Sequence, residues 1–384
     1  MGSAFRRGLR VFLVLVLLLA VVAAAAGTWL WQRHARFVEQ PIAGLQAGDR
    51  VQVSAGDSFA TVLRKLRAAG VDTGHDLDWR LLARRMQVAG SLKVGEYALD
   101  PGLTPRTLLQ RMAEGRIVQY RFTLIEGWNF RQLRAALNAA DPLLHETPDW
   151  DDAAIMEKLG HPGQHPEGRF LPETYLYQRG DSDLDVLARA HAAMEHALAQ
   201  AWAGRAQTAA VDTPEQVLIL ASIIEKETGV VDERPVIAGV FTRRLRQGWR
   251  LQTDPTVIYG MGSAYDGNIR KRDLLTDTPY NTYLRAGLTP TPIAMPSRAS
   301  LQAAVNPAEG DAMYFVALGD GSGGHAFSAT YAEHGAAVAR YLRRLREARA
   351  APTQANAAQA EVDAEAAQTA AELEDQARDA EVVP

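Results

Sequence analysis

Hydrophobic and polar positions change rhythm several times along the chain. Residues 11–31 (VFLVLVLLLAVVAAAAGTWLW) are apolar without a charge, long enough for a helix across a bilayer. Arg6, Arg7 and Arg10 precede this run, and Trp29 and Trp31 suit its far interface. Arg33 and Arg36 beyond it weaken the charge asymmetry that would orient it. A cleaved signal peptide is the alternative, because Ala23, Ala24, Ala25 and Ala26 offer a small-residue cleavage site. The unbroken length and the Trp pair favour a retained anchor.

After a connector at 32–48 the rhythm becomes that of a small α+β module over 49–118. VQVSAG alternates as a strand and turns at Gly56 and Asp57, and Phe59, Val62, Leu63 and Leu66 follow at helical spacing. LKVGEYALDPGLTPRTLLQRMAEG reads as strand, turn and helix, with Thr104 as N-cap, Pro105 at the first helical position and Gly115 as the stop. A larger α+β domain is expected over 119–346 and opens on the alternating YRFTLIEGW. Helices are predicted over 214–228 and 234–247, the latter followed by Gly248. A loop-rich stretch spans 251–296, AMYFVAL predicts a buried strand at 312–318, and a last helix covers 331–346. Residues 347–384 form an Ala/Glu-rich tail, without aromatics beyond Ala350, expected to be disordered or weakly helical. The fold class read from this pattern is α+β, with a single N-terminal transmembrane helix.

Composition narrows the chemistry. An apolar fraction of 47% and a charged fraction of 22% are ordinary for a globular protein, and a net charge of −4 argues against a nucleic-acid partner. The chain has no Cys, which excludes disulfides, thiolate metal sites and a Cys nucleophile. H-E-x-x-H, G-x-S-x-G, Walker A and S-x-x-K patterns are all missing.

The most informative stretch is VDTPEQVLILASIIEKETG, residues 211–229. Thr213 can cap a helix, Pro214 suits its first turn, Gln216 completes a capping box, and Gly229 is a natural stop. Between them Val217, Leu218, Ile219, Leu220, Ala221, Ile223 and Ile224 leave almost no polar face, so the helix should be buried. It ends in two acids, Glu225 and Glu227, which lie roughly 200° apart around the axis. Glu227 shares its face with Leu220, Ile223 and Ile224, and falls at the negative end of the helix dipole. Both effects raise a carboxyl pKa, which makes Glu227 the better candidate for a general acid. Pairing with Lys226 or an Arg is the plainer alternative.

Together with this helix, QTDPTVIYG (252–260), EGRFLPETY, the downstream NTY, GL and P, and the final GGHAFS resemble the endolytic murein transglycosylase (MltG/YceG-like) family. The resemblance runs from the anchor to about residue 346. It implies a membrane-anchored lytic transglycosylase, with a LysM-like module at 49–118 and a catalytic domain at 119–346. The implied reaction cleaves the MurNAc–GlcNAc bond inside nascent peptidoglycan strands and leaves 1,6-anhydroMurNAc ends. The family's essential glutamate corresponds to Glu227. The resemblance also implies a single pass through the inner membrane, N-terminal residues 1–10 in the cytoplasm and the catalytic domain in the periplasm. Its expected partners are nascent glycan strands, membrane lipid around the N-terminal helix, and peptidoglycan synthases including penicillin-binding proteins. GLTPTPI stands where the family often has GLPPGPI, and Met313 where Leu is common.

In that frame Glu225, Glu173, Thr253, Asp254, Tyr259, Asn281, Thr282, Tyr283 and His325 are candidates for binding sugar or supporting the site, as is Glu167 for shaping the groove. Each has a structural alternative. Asp254 could form an Asx turn before Pro255, Asn281 could hold a loop, Glu173 could pair with an Arg, and His325 could be structural. His161 and His165 in HPGQHP lack a convincing third ligand, so no metal and no cofactor are expected. Two other functions stay open: a muramidase-type hydrolase using Glu227 with Glu173 or Asp254, and a non-catalytic wall-binding scaffold.

Overall fold

The structure, a computed structural model, describes residues 3–350. The elements begin with α1 (Ser3–Glu39), β1 (Arg50–Val53), α2 (Phe59–Ala68), α3 (Asp76–Arg85), β2 (Gly95–Ala98) and α4 (Pro105–Glu114). They continue through β3 (Tyr120–Thr123), α5 (Phe130–Asn138), α6 (Asp152–Lys158), β4 (Thr174–Tyr177) and α7 (Asp183–Ala203). Then follow α8 (Pro214–Glu227), α9 (Arg234–Arg246), α10 (Asp254–Met261), α11 (Lys271–Leu275) and α12 (Arg298–Val305). The last three are β5 (Tyr314–Ala317), β6 (His325–Ser328) and α13 (Tyr331–Ala350). The strands form three two-stranded antiparallel pairs, β1–β2, β3–β4 and β5–β6, so the class is α+β. Residues 351–384, on which most of the tail expectation falls, lie outside the described residues.

Two compact units divide the chain. The first comprises residues up to 123 together with 136–149 and 174–186. Its core joins Val51 and Val53 of β1, Leu63 and Leu66 of α2, Trp79 and Leu82 of α3, Tyr97 of β2, and Leu108, Leu109 and Met112 of α4. The register Val51↔Tyr97 puts two of these side chains opposite each other on the buried face. Ser58 caps α2 by accepting from the Thr61 amide, Thr104 caps α4 through the Thr107 amide, and Gly115 closes α4 with φ +76°. α1 is longer than the apolar run predicted. Residues 8–39 contain a window of mean hydropathy 2.8, long and apolar enough to cross a membrane. The helix continues without a break through the small-residue stretch, and Phe37 and Val38 near its end pack into the core of this unit. The connector expected at 32–48 is therefore helical as far as Glu39.

The second unit comprises 124–135, 150–173 and residues from 187 on. Its centre is α8, where Val217, Leu218, Leu220, Ala221, Ile223 and Ile224 are fully buried and pack with α9 and α12. Thr213 accepts from the Gln216 amide as the sequence predicts, but the Gln216 side chain accepts from the Asp212 amide rather than returning to the cap residue. Gly229 does not end the helix; Thr228 does, in extended backbone at φ −143° and ψ 138°. Its hydroxyl accepts from the Val230 amide, so a side chain makes the turn that a left-handed glycine was expected to make. The loop-rich stretch at 251–296 holds α10 and α11. DPTVIYGM carries Pro255 at the helix start, and reading that proline as a turn signal hides the helix behind it.

Candidate active site

Glu227 ends α8, and Thr253 immediately precedes α10. The Thr253 hydroxyl donates a short hydrogen bond to Glu227 Oε1. The side chain is partly accessible but surrounded by protein, and burial pushes its carboxyl up to about 7. The charge of Asp254 pushes the same way, while the Thr253 bond and the buried Arg244 guanidinium oppose it. Arg244 is fixed by donating to the backbone carbonyls of Leu251 and Met313. A carboxyl balanced near neutrality can both give and take a proton in one catalytic cycle.

Glu225 sits in a different environment, one residue earlier than Lys226 and on the opposite side of α8. It is buried and saturated: Arg234 Nη2 donates to Oε1 at 2.9 Å, and the Ser297 amide and hydroxyl donate to Oε2 at 2.9 and 2.6 Å. Ser297 is also the N-cap of α12, and Arg234 opens α9. One carboxylate thus ties together the three helices that form the centre of the unit. Nearby, Ser222 of α8 accepts from the Ile293 amide at 3.0 Å, holding the 287–296 segment against the same helix.

A cleft of about 950 Å³ opens beside α10. Pro255, Ile258 and Tyr259 of α10 line it, with Lys226, Phe130 and Tyr280. Glu227 is not among its lining residues, although its neighbour Lys226 is. Two acids do line it, Asp152 and Glu167, and of these Glu167 is only 3% exposed. Both of its oxygens accept from the Phe130 amide, at 3.0 and 3.2 Å, and Tyr259 donates to Oε2 at 3.0 Å. Burial overrides these bonds and pushes Glu167 up to about 7 as well. Its partner Tyr259 is pushed well above the ordinary tyrosine range, mainly by burial, and packs edge-on against Tyr280 at 4.9 Å. Sequence reasoning named Glu167 only as a shaper of the groove; the EGRF context gives no sign that this acid, and not Glu173, is the buried one.

The other candidates separate by role. Thr282 accepts from the Thr253 amide at 3.1 Å and meets Thr256 at 2.8 Å, fixing the segment that presents the Thr253 hydroxyl. Asp254 forms no Asx turn: it begins α10 and accepts from the Tyr283 hydroxyl at 2.6 Å. Burial, then that bond, push Tyr283 above the ordinary tyrosine range. Asn281 is a loop clamp, donating to Leu274 and Thr276 carbonyls and accepting from the Tyr283 amide. Glu173 is exposed and paired with Arg298 at 2.8 Å. His325 Nδ1 lies 2.7 Å from Glu233 Oε2, and its amide donates to Oε1 of the same residue. Burial pushes Glu233 up, but these His325 bonds outweigh it and hold the carboxyl below its usual range. His165 lines the cleft and accepts from the Glu167 amide, whereas His161 meets His191 and Glu195 away from the cleft lining.

Fold and site together define an α+β protein with a near-neutral acid at the end of a buried helix, next to a cleft that holds a second such acid. The sequence model of the YceG-like family matches residues 51–340. The chain belongs to that family. The endolytic murein transglycosylase of Bacillus subtilis is 30% identical over 271 residues, which cover 66% of this chain and 74% of that protein. The protein of the same name from Streptococcus pneumoniae is 24% identical over 307 residues, covering 70% of this chain and 54% of its own length. A crystal structure of a yceG-like protein from Listeria monocytogenes is 27% identical, with a TM-score of 0.47 over 75% of this chain and 98% of that one.

Proposed function

We propose that this protein is a membrane-anchored endolytic lytic transglycosylase of peptidoglycan, with Glu227 as its catalytic acid and base. The observation that carries the proposal is the Glu227 carboxyl held near pH 7 at the end of α8, under the Thr253 hydroxyl. Glycoside cleavage needs a proton on the leaving oxygen as the anomeric centre becomes oxocarbenium-like. Protonated Glu227 gives its proton to the glycosidic oxygen, and the bond from that oxygen to the muramyl C1 breaks. The resulting carboxylate then takes the proton of the muramyl C6 hydroxyl as O6 bonds to C1. The 1,6-anhydro ring closes and Glu227 is protonated again, so no water and no second carboxylate enter the balance.

The names of the bacillary and pneumococcal relatives support the substrate class, murein, and the endolytic mode. In this reading the cleft at Glu167 and Tyr259 takes the glycan strand, and Glu225 holds α8, α9 and α12 in place behind Glu227. The unbroken α1, docked through Phe37 and Val38, supports a retained single-pass anchor rather than a cleaved signal. The N-terminus would then be cytoplasmic and the catalytic unit periplasmic. The order β1, α2, α3, β2 supports a LysM-like glycan-binding role for residues 49–118. Peptidoglycan synthases at the growing wall are the expected partners.

A muramidase is the competing reading, and Glu167 rather than Glu173 or Asp254 is the acid that would serve it. Digesting purified peptidoglycan with the protein and analysing the products by mass spectrometry tests the proposal. Internal cuts with 1,6-anhydroMurNAc ends are expected. Reducing MurNAc ends would establish hydrolysis instead, and uncut glycan would establish a scaffold.

A further inference from the structure

We propose that His161, His191 and Glu195 form a binding site for a divalent transition-metal cation, with zinc the best match. His191 and Glu195 are one helical turn apart on α7 and share a face. His161 reaches them from the turn after α6, where its amide donates to the Met156 carbonyl at 2.8 Å. One potential ligand atom from each residue lies within 4.8 Å of the other two.

The geometry is that of ligands rather than of hydrogen-bonded neighbours. His161 Nδ1 is 3.9 Å from Glu195 Oε1, and His191 Nδ1 is 3.7 Å from Glu195 Oε2, both beyond hydrogen-bond range. A tetrahedral zinc with bonds of about 2.0–2.1 Å holds its ligand atoms roughly 3.3 Å apart, so ligand atoms that now lie within 4.8 Å of one another close on the ion through side-chain rotation, without movement of the backbone. The two imidazoles are stacked at a tilt, with ring centroids 4.0 Å apart and an interplanar angle of 32°, and they splay apart on binding so that their in-plane lone pairs converge on the ion. His191 is 3% exposed, and its Nε2 is buried without a hydrogen-bond partner. A buried imidazole nitrogen without a partner is costly unless something else uses it.

The chemistry fits. Two imidazoles and one carboxylate are an established zinc donor set, leaving a fourth position for water on the exposed Glu195 side. The site is a clasp: it fastens the turn at His161 to α7, and that turn leads directly to His165 and Glu167 in the cleft wall. The sequence hides it because the second and third ligands come some thirty residues after HPGQHP, on a helix whose His and Glu look like ordinary surface positions.

The test uses the full chain in detergent, stripped with a chelator and then titrated with zinc chloride. One equivalent should bind at micromolar concentration or tighter, and a hundredfold excess over Kd should raise Tm by roughly 5 °C. Cobalt(II) should give the intense visible absorption of a four-coordinate ion. Glu195→Gln, at an exposed position outside the core, should weaken zinc binding at least tenfold and abolish the cobalt spectrum while leaving circular dichroism unchanged. His161→Gln should do the same, as an independent check. No zinc uptake at micromolar concentration, or wild-type affinity in both variants, overturns the proposal.

Discussion

Glu227 and Glu167 are both carboxyls whose folded pKa, about 7, lies above the ordinary value of 4.5. Between those limits the folded chain binds more protons than the unfolded one, so stability is fully present below about 4.5 and is lost as pH rises through 7. Urea unfolding at a series of pH values should show that decline, levelling above pH 8. Glu167→Gln should flatten part of it, because the amide cannot ionise; an unchanged slope would mean that Glu167 is not held protonated. The same sign governs activity. Turnover that depends on protonated Glu227 should fall as pH rises past about 7, whatever the buffer.

The three-helix junction at Glu225 makes a prediction at the level of elements. Arg234 is buried, and Glu225→Ala would leave its charge facing Ser297 with only the more exposed Glu126, at 3.3 Å, to pair with. Loss of one partner of a buried pair costs about 3–5 kcal/mol, so the variant should unfold at markedly lower denaturant. A variant that stayed as stable as the wild type while losing turnover would give Glu225 a chemical role instead. Gly168 is a second element-level point, with φ +79° and only 2.5 Å between an added Cβ and the Pro292 side chain. Gly168→Ala should cost about 1–2 kcal/mol from the backbone alone, plus the displacement of the loop at Pro292, and should be visible as a lowered Tm.

Elements with strong local signals were legible in the sequence. α4 has its cap, its proline and its terminal glycine where expected, and the apolar face of α8 leaves one possible environment for that helix. α12 was not legible, because SRASLQAAV is short and Ala-rich, and its position depends on Ser297 meeting Glu225 from 72 residues away. α10 was obscured by a proline with two meanings. In the site, the contrast between Glu225 and Glu227 could be read from helix geometry. The burial of Glu167 could not, because it arises from Phe130 and Tyr259, which are distant in sequence.

For the molecule as a whole, α1 belongs to two environments. Its apolar stretch is exposed in the structure, whereas Phe37 and Val38, with Ile42 just beyond, are core residues of the first unit. A soluble form should therefore begin near Gln32, not at the domain boundary near 49 that the sequence suggests. Starting at 49 removes three buried apolar side chains, each worth about 1.5–3 kcal/mol. The shorter form should lose several kcal/mol in chemical denaturation relative to the longer one, and equal stabilities would show that the end of α1 does not support the core. Membership of the YceG-like family covers both units, since the match spans residues 51–340.

The central claim is that one carboxyl, Glu227, moves the proton. Its most direct test is the turnover of Glu227→Gln on purified peptidoglycan, measured by release of muropeptides, alongside a thermal melt that reports folding. The expected result is a fall of at least about 10²–10⁴-fold with a native-like melt at pH 8. Turnover within a fewfold of wild type, from a variant that folds normally, would contradict the account.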